Sequence, residues 1–182
     1  MMMNKKSSAS LFLASLLLSV SAMAVPVQSR DVASLMNQRL SYMKDVAGYK
    51  AINHQAIEDL PQEAQVLAAS VAKAETLGLN GESVKPFIQA QMDAAKAIQY
   101  RYRADWLSVP EKGWQPEPLM QVRSKISVLS TAILTTVSTR LSEGLPLTDK
   151  NTFMQTLQQT HLEDSDKERL WESLKQVTLN KK

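Results

Sequence analysis

The chain has 182 residues, no cysteine, and a formal net charge of +3 from 21 basic and 18 acidic side chains. Without thiols there are neither disulfide staples nor thiolate metal sites, so stability has to come from a packed core. A charge this close to neutral argues against nucleic-acid binding through a basic surface, and the length suits one domain with one core.

The amino-terminal segment reads as a secretory signal peptide. Lys5 and Lys6 form a positive n-region, Leu11 to Val20 an apolar h-region, and Ala22-Met23-Ala24 a small-residue cleavage site. The expected organisation is a cleavable signal over residues 1–24 and one helical domain over 25–182, with Val25 as the mature N-terminus. An uncleaved anchor is the rival reading, and the polar run Gln28-Ser29-Arg30-Asp31 after the cleavage site disfavours it. The apolar run is shorter than the roughly 20 residues that cross a bilayer, and no later segment is apolar enough to try. No membrane association is therefore expected after cleavage, and the location is periplasmic or secreted. Loss of Lys5 and Lys6 brings the net charge to +1.

Gly is scarce, helix formers dominate, and no segment alternates apolar and polar residues in strand fashion, so the fold class is all-α, a single-domain bundle of about six helices. A first helix runs from about Asp31 to Tyr49 or beyond, with Leu35, Met36, Met43 and Val46 on one stripe. Asp59 starts a second as N-cap, with Gln62 three residues on; Val66, Leu67, Val71 and Leu77 form its stripe and Gly78 stops it. A third opens near Gly81-Glu82-Ser83, tolerates Pro86 in its first turn, and continues through Ile88, Met92, Ala95, Ile98 and Tyr102 towards Trp106. Pro110, Gly113, Pro116 and Pro118 make a loop of the next stretch. A fourth helix carries Val122, Ile126, Leu129, Ile133 and Val137 up to Gly144. Two short helices follow, one capped at Thr148-Asp149 and one at Asp164-Ser165-Asp166.

Polar groups on these apolar faces are the informative anomaly. Arg39, Met43, Val46 and Lys50 follow i, i+4, i+7, i+11 spacing, which turns two cations towards the core. A buried charge without a partner is costly, so these side chains either snorkel to water or meet an anion inside. Glu63 falls on the stripe of Val66, Ser70 and Leu77, Gln99 follows Ala95 by four, and Arg123 lines up with Ile126, Ser130, Ile133 and Val137. Four helices turning such groups inward point to a bundle-core site for a small anion. His54 and His161 stand alone, so no metal site is expected, and no phosphate loop or nucleophile elbow is present. Lys44, Lys96, Arg101 and Arg103 read as a solvated helix surface. Asp59 is equally a helix cap or a ligand contact.

Arg39-Leu40, Lys50, Ile57-Glu58-Asp59 with Glu63, Ala97-Ile98-Gln99-Tyr100 and Val122-Arg123, taken in order and spacing, resemble the exported, gamma class of all-helical chorismate mutases. The resemblance spans nearly all of residues 25–182. It implies a chorismate mutase II-like fold, conversion of chorismate to prephenate without a cofactor, and a homodimer with each pocket built within one chain. Carried over residue by residue, it implies Lys50, Gln99 and Arg39 as the catalytic set. Arg39 and Arg123 would hold the two substrate carboxylates, and Lys50 would reach a carboxylate and the ether oxygen. Gln99 would share that oxygen, and Glu63, with Asp59 as second candidate, would accept from the ring hydroxyl. Gln62 stands where many relatives have Arg, and Ala95 where they have Ser or Thr, so carboxylate binding rests on fewer contacts. The competing class is a non-catalytic periplasmic helical protein that binds a small anionic ligand.

Overall fold

Residues 31–181 are described by the computed structural model, and the expected signal peptide over residues 1–24 lies outside the described residues. The described chain is all-helical, as its composition requires, apart from one isolated bridge between Leu79 and Leu179. Its helices are α1 (Val32–Ser41), α2 (Met43–Ile52), α3 (Leu60–Thr76), α4 (Gly81–Ser108), α5 (Leu119–Ser142), α6 (Lys150–Thr156) and α7 (Asp164–Leu174). The single first helix expected from sequence is thus interrupted at Tyr42, whose backbone stays right-handed, and the ladder resumes with Val46 N–H donating to Tyr42 O. The interruption leaves Arg39, Met43, Val46 and Lys50 all buried, as their spacing implies.

Helix starts follow local side-chain chemistry. Asp31 accepts from the backbone of Ala33 and Ser34, Asp59 from Gln62, and Asp149 from Thr152, each satisfying donors that the first turn leaves without partners. α4 opens at Gly81 as expected, with Asn80 as its cap accepting from Ser83 N–H at 2.9 Å. Two details differ from expectation. Glu63, not Gln62, reaches back to the Asp59 N–H. Glu163, one residue before the expected cap, starts α7 in a reciprocal capping box with Asp166. Gly78 ends α3 at φ +82°, a conformation that costs glycine little.

The core is built by Val32, Met36, Phe87, Ile98, Val122, Ile133 and Phe153, from α1, α4, α5 and α6. By contrast α3 buries only Ala74, and Val66 is 38% exposed. The stripe of Val66, Leu67, Val71 and Leu77 is therefore only partly covered: α3 lies across α4 and α5 as an outer wall. The loop before α5 is strapped to α2. Trp114 packs so closely on Gly48 that a Cβ there would lie 2.6 Å from the indole, and Asp45 Oδ1 accepts from Glu117 N–H at 3.0 Å. Among the described residues no helix is long and apolar enough to cross a membrane.

At the far end of α4, Asp166 is 1% exposed and accepts from Arg101 at 2.5 Å and from Arg169 at 2.7 Å. Burial raises its carboxyl pKa, but the bonds from Arg101 and Arg169 outweigh that and the net shift is downward. A carboxyl depressed in the folded state stabilises the fold above its unfolded pKa, and that stability is lost as pH falls through the folded value. Asp166→Ala should cost about 2 kcal/mol at neutral pH, Arg101 keeping its pairing with Glu163. Denaturant titration at neutral and acid pH checks this, the two proteins converging in acid.

Candidate active site

Arg39 leaves the last turn of α1 and enters the bundle between α4 and α5. Its Nε donates to Ser130 Oγ at 3.1 Å and one terminal nitrogen to the Gln91 carbonyl at 3.4 Å. The Ser130 hydroxyl is itself spent on Ile126 O at 2.8 Å, so its oxygen lone pairs are left to face the guanidinium. The side chain is 8% exposed, and burial alone pushes its pKa down to about 10. Among the described residues no carboxylate pairs with it, so the site holds a desolvated positive charge that is still ionised at neutral pH.

Lys50, three turns along the same stripe, is 9% exposed, and its Nζ donates to the Ile57 carbonyl at 2.5 Å. Burial and the neighbouring Arg123 lower its pKa, with Arg103 adding to the effect and Asp59 and Glu63 opposing it. Gln99, 5% exposed on α4, donates from Nε2 to the Ala95 carbonyl at 3.0 Å and lies 3.6 Å from Met43 Sδ. Its Oε1 is buried without a partner. A buried acceptor left so costs about 1–3 kcal/mol, so the amide gains by finding a partner in the cavity.

Glu63, on the first turn of α3, accepts from Lys96 at 2.8 Å through Oε2 and from the Asp59 N–H at 3.2 Å through Oε1. Burial raises its pKa; the bonds from Lys96 and the Asp59 backbone, with the nearby charges of Lys96 and Lys50, more than reverse that. Asp59 serves as helix cap and as part of the site at once, since its Oδ1 accepts from Gln62 N–H while the side chain lines the opening. Arg123 departs from the inward-facing position that its stripe suggests. Leu119, Val122, Ile133 and Val137 of α5 are buried, whereas Arg123 is exposed, so its side chain lies beside the buried face rather than on it.

All six residues, Arg39, Lys50, Asp59, Glu63, Gln99 and Arg123, line one inner cavity of about 170 Å³, together with Gln62, Ala95 and Lys96. A wider cleft of about 720 Å³ adjoins it, sharing Lys50, Asp59 and Arg123. With Glu63 neutralised by Lys96, the cations Arg39, Lys50 and Arg123 face one carboxylate, Asp59, which suits a small dianion.

Sequence reading missed Lys96, Ser130 and Gln91. Of the four cations taken as surface, Lys44 pairs with Glu111, Arg101 grips Asp166 and Arg103 donates to Gln55 O, whereas Lys96 belongs to the cavity. The spacing of Met92, Ala95, Lys96 and Gln99 carried that signal, because all four fall on one helical face.

A family model described as chorismate mutase type II matches residues 29–100, which include five of the six side chains and leave Arg123 outside. The chain is 54% identical, over 84% of its length and 83% of the relative's, to a secreted chorismate mutase of Yersinia pestis. It is 43% identical, over 92% of its length and 94% of the relative's, to a monofunctional chorismate mutase of Enterobacter agglomerans. The crystal structure of secreted chorismate mutase from Yersinia pestis is similar with a TM-score of 0.80, at 54% identity over 82% of this chain and 97% of that one. A chorismate mutase structure from Burkholderia thailandensis, 23% identical over 80% of this chain and 95% of that one, shares the fold at a TM-score of 0.62.

Proposed function

Because the chain belongs to the chorismate mutase type II family, we propose that its inner cavity rearranges chorismate to prephenate, with Arg39 and Arg123 taking the two carboxylates. The observation that carries this assignment is Arg39, a buried guanidinium whose missing counter-ion a substrate carboxylate supplies. The reaction is pericyclic and needs no base or nucleophile, only a compact conformer and donors aimed at the breaking C–O bond. Confinement between α3 and α4 removes much of the entropic part of the barrier. Lys50 stabilises the negative charge growing on the ether oxygen, and Gln99 joins it by turning its amide so that Nε2 faces the substrate. That turn exchanges the bond to Ala95 for one to the ligand. Glu63 accepts from the ring hydroxyl, and Asp59 borders the same opening.

The purified protein is expected to consume chorismate, followed as loss of its absorbance. A protein that only bound the anion would leave the signal unchanged. Because a neutral amide donates at any pH, wild-type turnover should be nearly flat across neutral pH. Gln99→Glu should be poor at neutral pH, where a carboxylate would face the developing charge, and should recover as acid protonates it. Profiles of kcat/KM against pH for the two folded proteins read this directly, and equal activity at all pH values would remove Gln99 from the ether oxygen.

The same reading includes cleavage before Val25 and work in the periplasm, supported by the signal-like segment and by likeness to a secreted relative. It also includes a homodimer, which the family resemblance implies.

A further inference from the structure

Lys96 projects from α4 across to α3 at the rim of the inner cavity, with its side chain 21% exposed. Its Nζ lies 2.8 Å from Glu63 Oε2 and 3.5 Å from Asp93 Oδ1, and Asp93 is held in turn by Gln89 Nε2 at 2.9 Å. The ammonium is therefore braced from behind on its own helix and directed at one oxygen of Glu63. The other oxygen accepts from the Asp59 N–H. With both oxygens engaged the carboxylate plane is set, and each oxygen keeps acceptor capacity for one further donor.

We propose that Lys96 is a positioning residue of the active site, holding the Glu63 carboxylate as acceptor for the substrate ring hydroxyl and away from Lys50. The inference rests on the mutase reading above and assigns a task to a residue that the reading does not use.

The groups facing Glu63 make the need for such a residue plain. From α2 comes Lys50, from α5 Arg123, from α4 Lys96 and, behind it, Asp93; Asp59 lies at its own helix start, and Arg39 of α1 lines the same cavity. Lys50 already interacts electrostatically with Glu63. Were Lys96 absent, the nearest compensation for the carboxylate would be Lys50, the donor required at the ether oxygen. A cation drawn into an ion pair with Glu63 would be lost to the transition state, so one substitution would disturb both substrate placement and charge stabilisation. The hydrogen bond from Lys96 also offsets the burial that favours protonated Glu63, and a protonated carboxyl is a poorer acceptor.

Lys96→Met, with a flexible apolar side chain of comparable length, is expected to lose roughly tenfold in kcat/KM at neutral pH, with part of the loss in kcat. Its acid limb should move to higher pH than in the wild type, because Glu63 then protonates more readily. Lys96→Arg should restore both the neutral-pH rate and the wild-type profile. In a Glu63→Gln background, Lys96→Met should add no further loss, since its effect passes through the carboxylate. Chorismate turnover against pH for all of these, with thermal unfolding measured in parallel, tests the proposal. A Lys96→Met protein of lower stability but unchanged pH profile would overturn it in favour of a simple α3–α4 staple. Full additivity with Glu63→Gln would overturn it in favour of direct contact with substrate. An inactive wild type would instead overturn the mutase reading, and this inference with it.

Discussion

Lys50→Ala is expected to keep its helical circular dichroism and to lose about 10²-fold or more in kcat, the scale of removing one donor from a preorganised, desolvated site. The side chain is almost wholly buried and its ammonium is bound to one backbone carbonyl, that of Ile57. Burial and Arg123 both disfavour its charge, so the fold gains little from holding it there. Such a group is costly without substrate, and in the proposed role it becomes useful when negative charge grows on the ether oxygen. Truncation removes the donor and relieves a desolvated cation together, which is why activity should fall far more than stability. Single-turnover rates measured beside thermal unfolding separate the two effects. Near-normal turnover would return Lys50 to a snorkelling helix-end lysine.

Arg39→Met should lose about 10²-fold or more in kcat/KM, because it removes one member of the buried, hydrogen-bonded charge pair proposed to form with the substrate carboxylate. Its stability without ligand should be unchanged or raised. The guanidinium is held by Ser130 Oγ and Gln91 O but has no carboxylate, and its pKa of about 10 lies below the usual arginine value. A cation whose folded pKa is depressed destabilises the fold at every pH below that value, and the penalty is relieved only as alkali discharges it. Methionine fills comparable space without the charge, and replacing a poorly compensated buried ion by an apolar side chain is often neutral or favourable. An anionic substrate analogue should raise the melting temperature of the wild type and leave that of Arg39→Met nearly unchanged. A variant that unfolded readily and yet answered to the analogue would make Arg39 a structural residue.

The residues that were legible and those that were not divide along a physical line. Arg39 and Lys50 could be found because both lie on one stripe, and burial of Met43 and Val46 between them survives the interruption at Tyr42. Asp59 could be placed at a helix start from its neighbours alone, though not the choice of Glu63 over Gln62 as its reciprocal partner. That choice turns on the position of Glu63 between two helices. Arg123 was found for its spacing but expected too deep: its neighbours Leu119 and Val122 carry the buried face at that turn, and a stripe does not say which of its edge positions stays exposed. Lys96 was set aside because a charged helical face is solvated more often than not.

The sequence by itself determined that the described chain is helical, where most of its helices begin, and which six side chains to suspect, but not the break at Tyr42. These properties are local, or belong to patterns along one helix, where periodicity and capping chemistry act over a few residues. Only the tertiary structure decided that α3 is a half-exposed wall, that Ser130 braces Arg39 from 91 residues away, and that Lys96 meets Glu63 across 33 residues. Those pairings depend on how helices distant in the chain cross, and no pattern within a single helix records where its neighbour will place a charge.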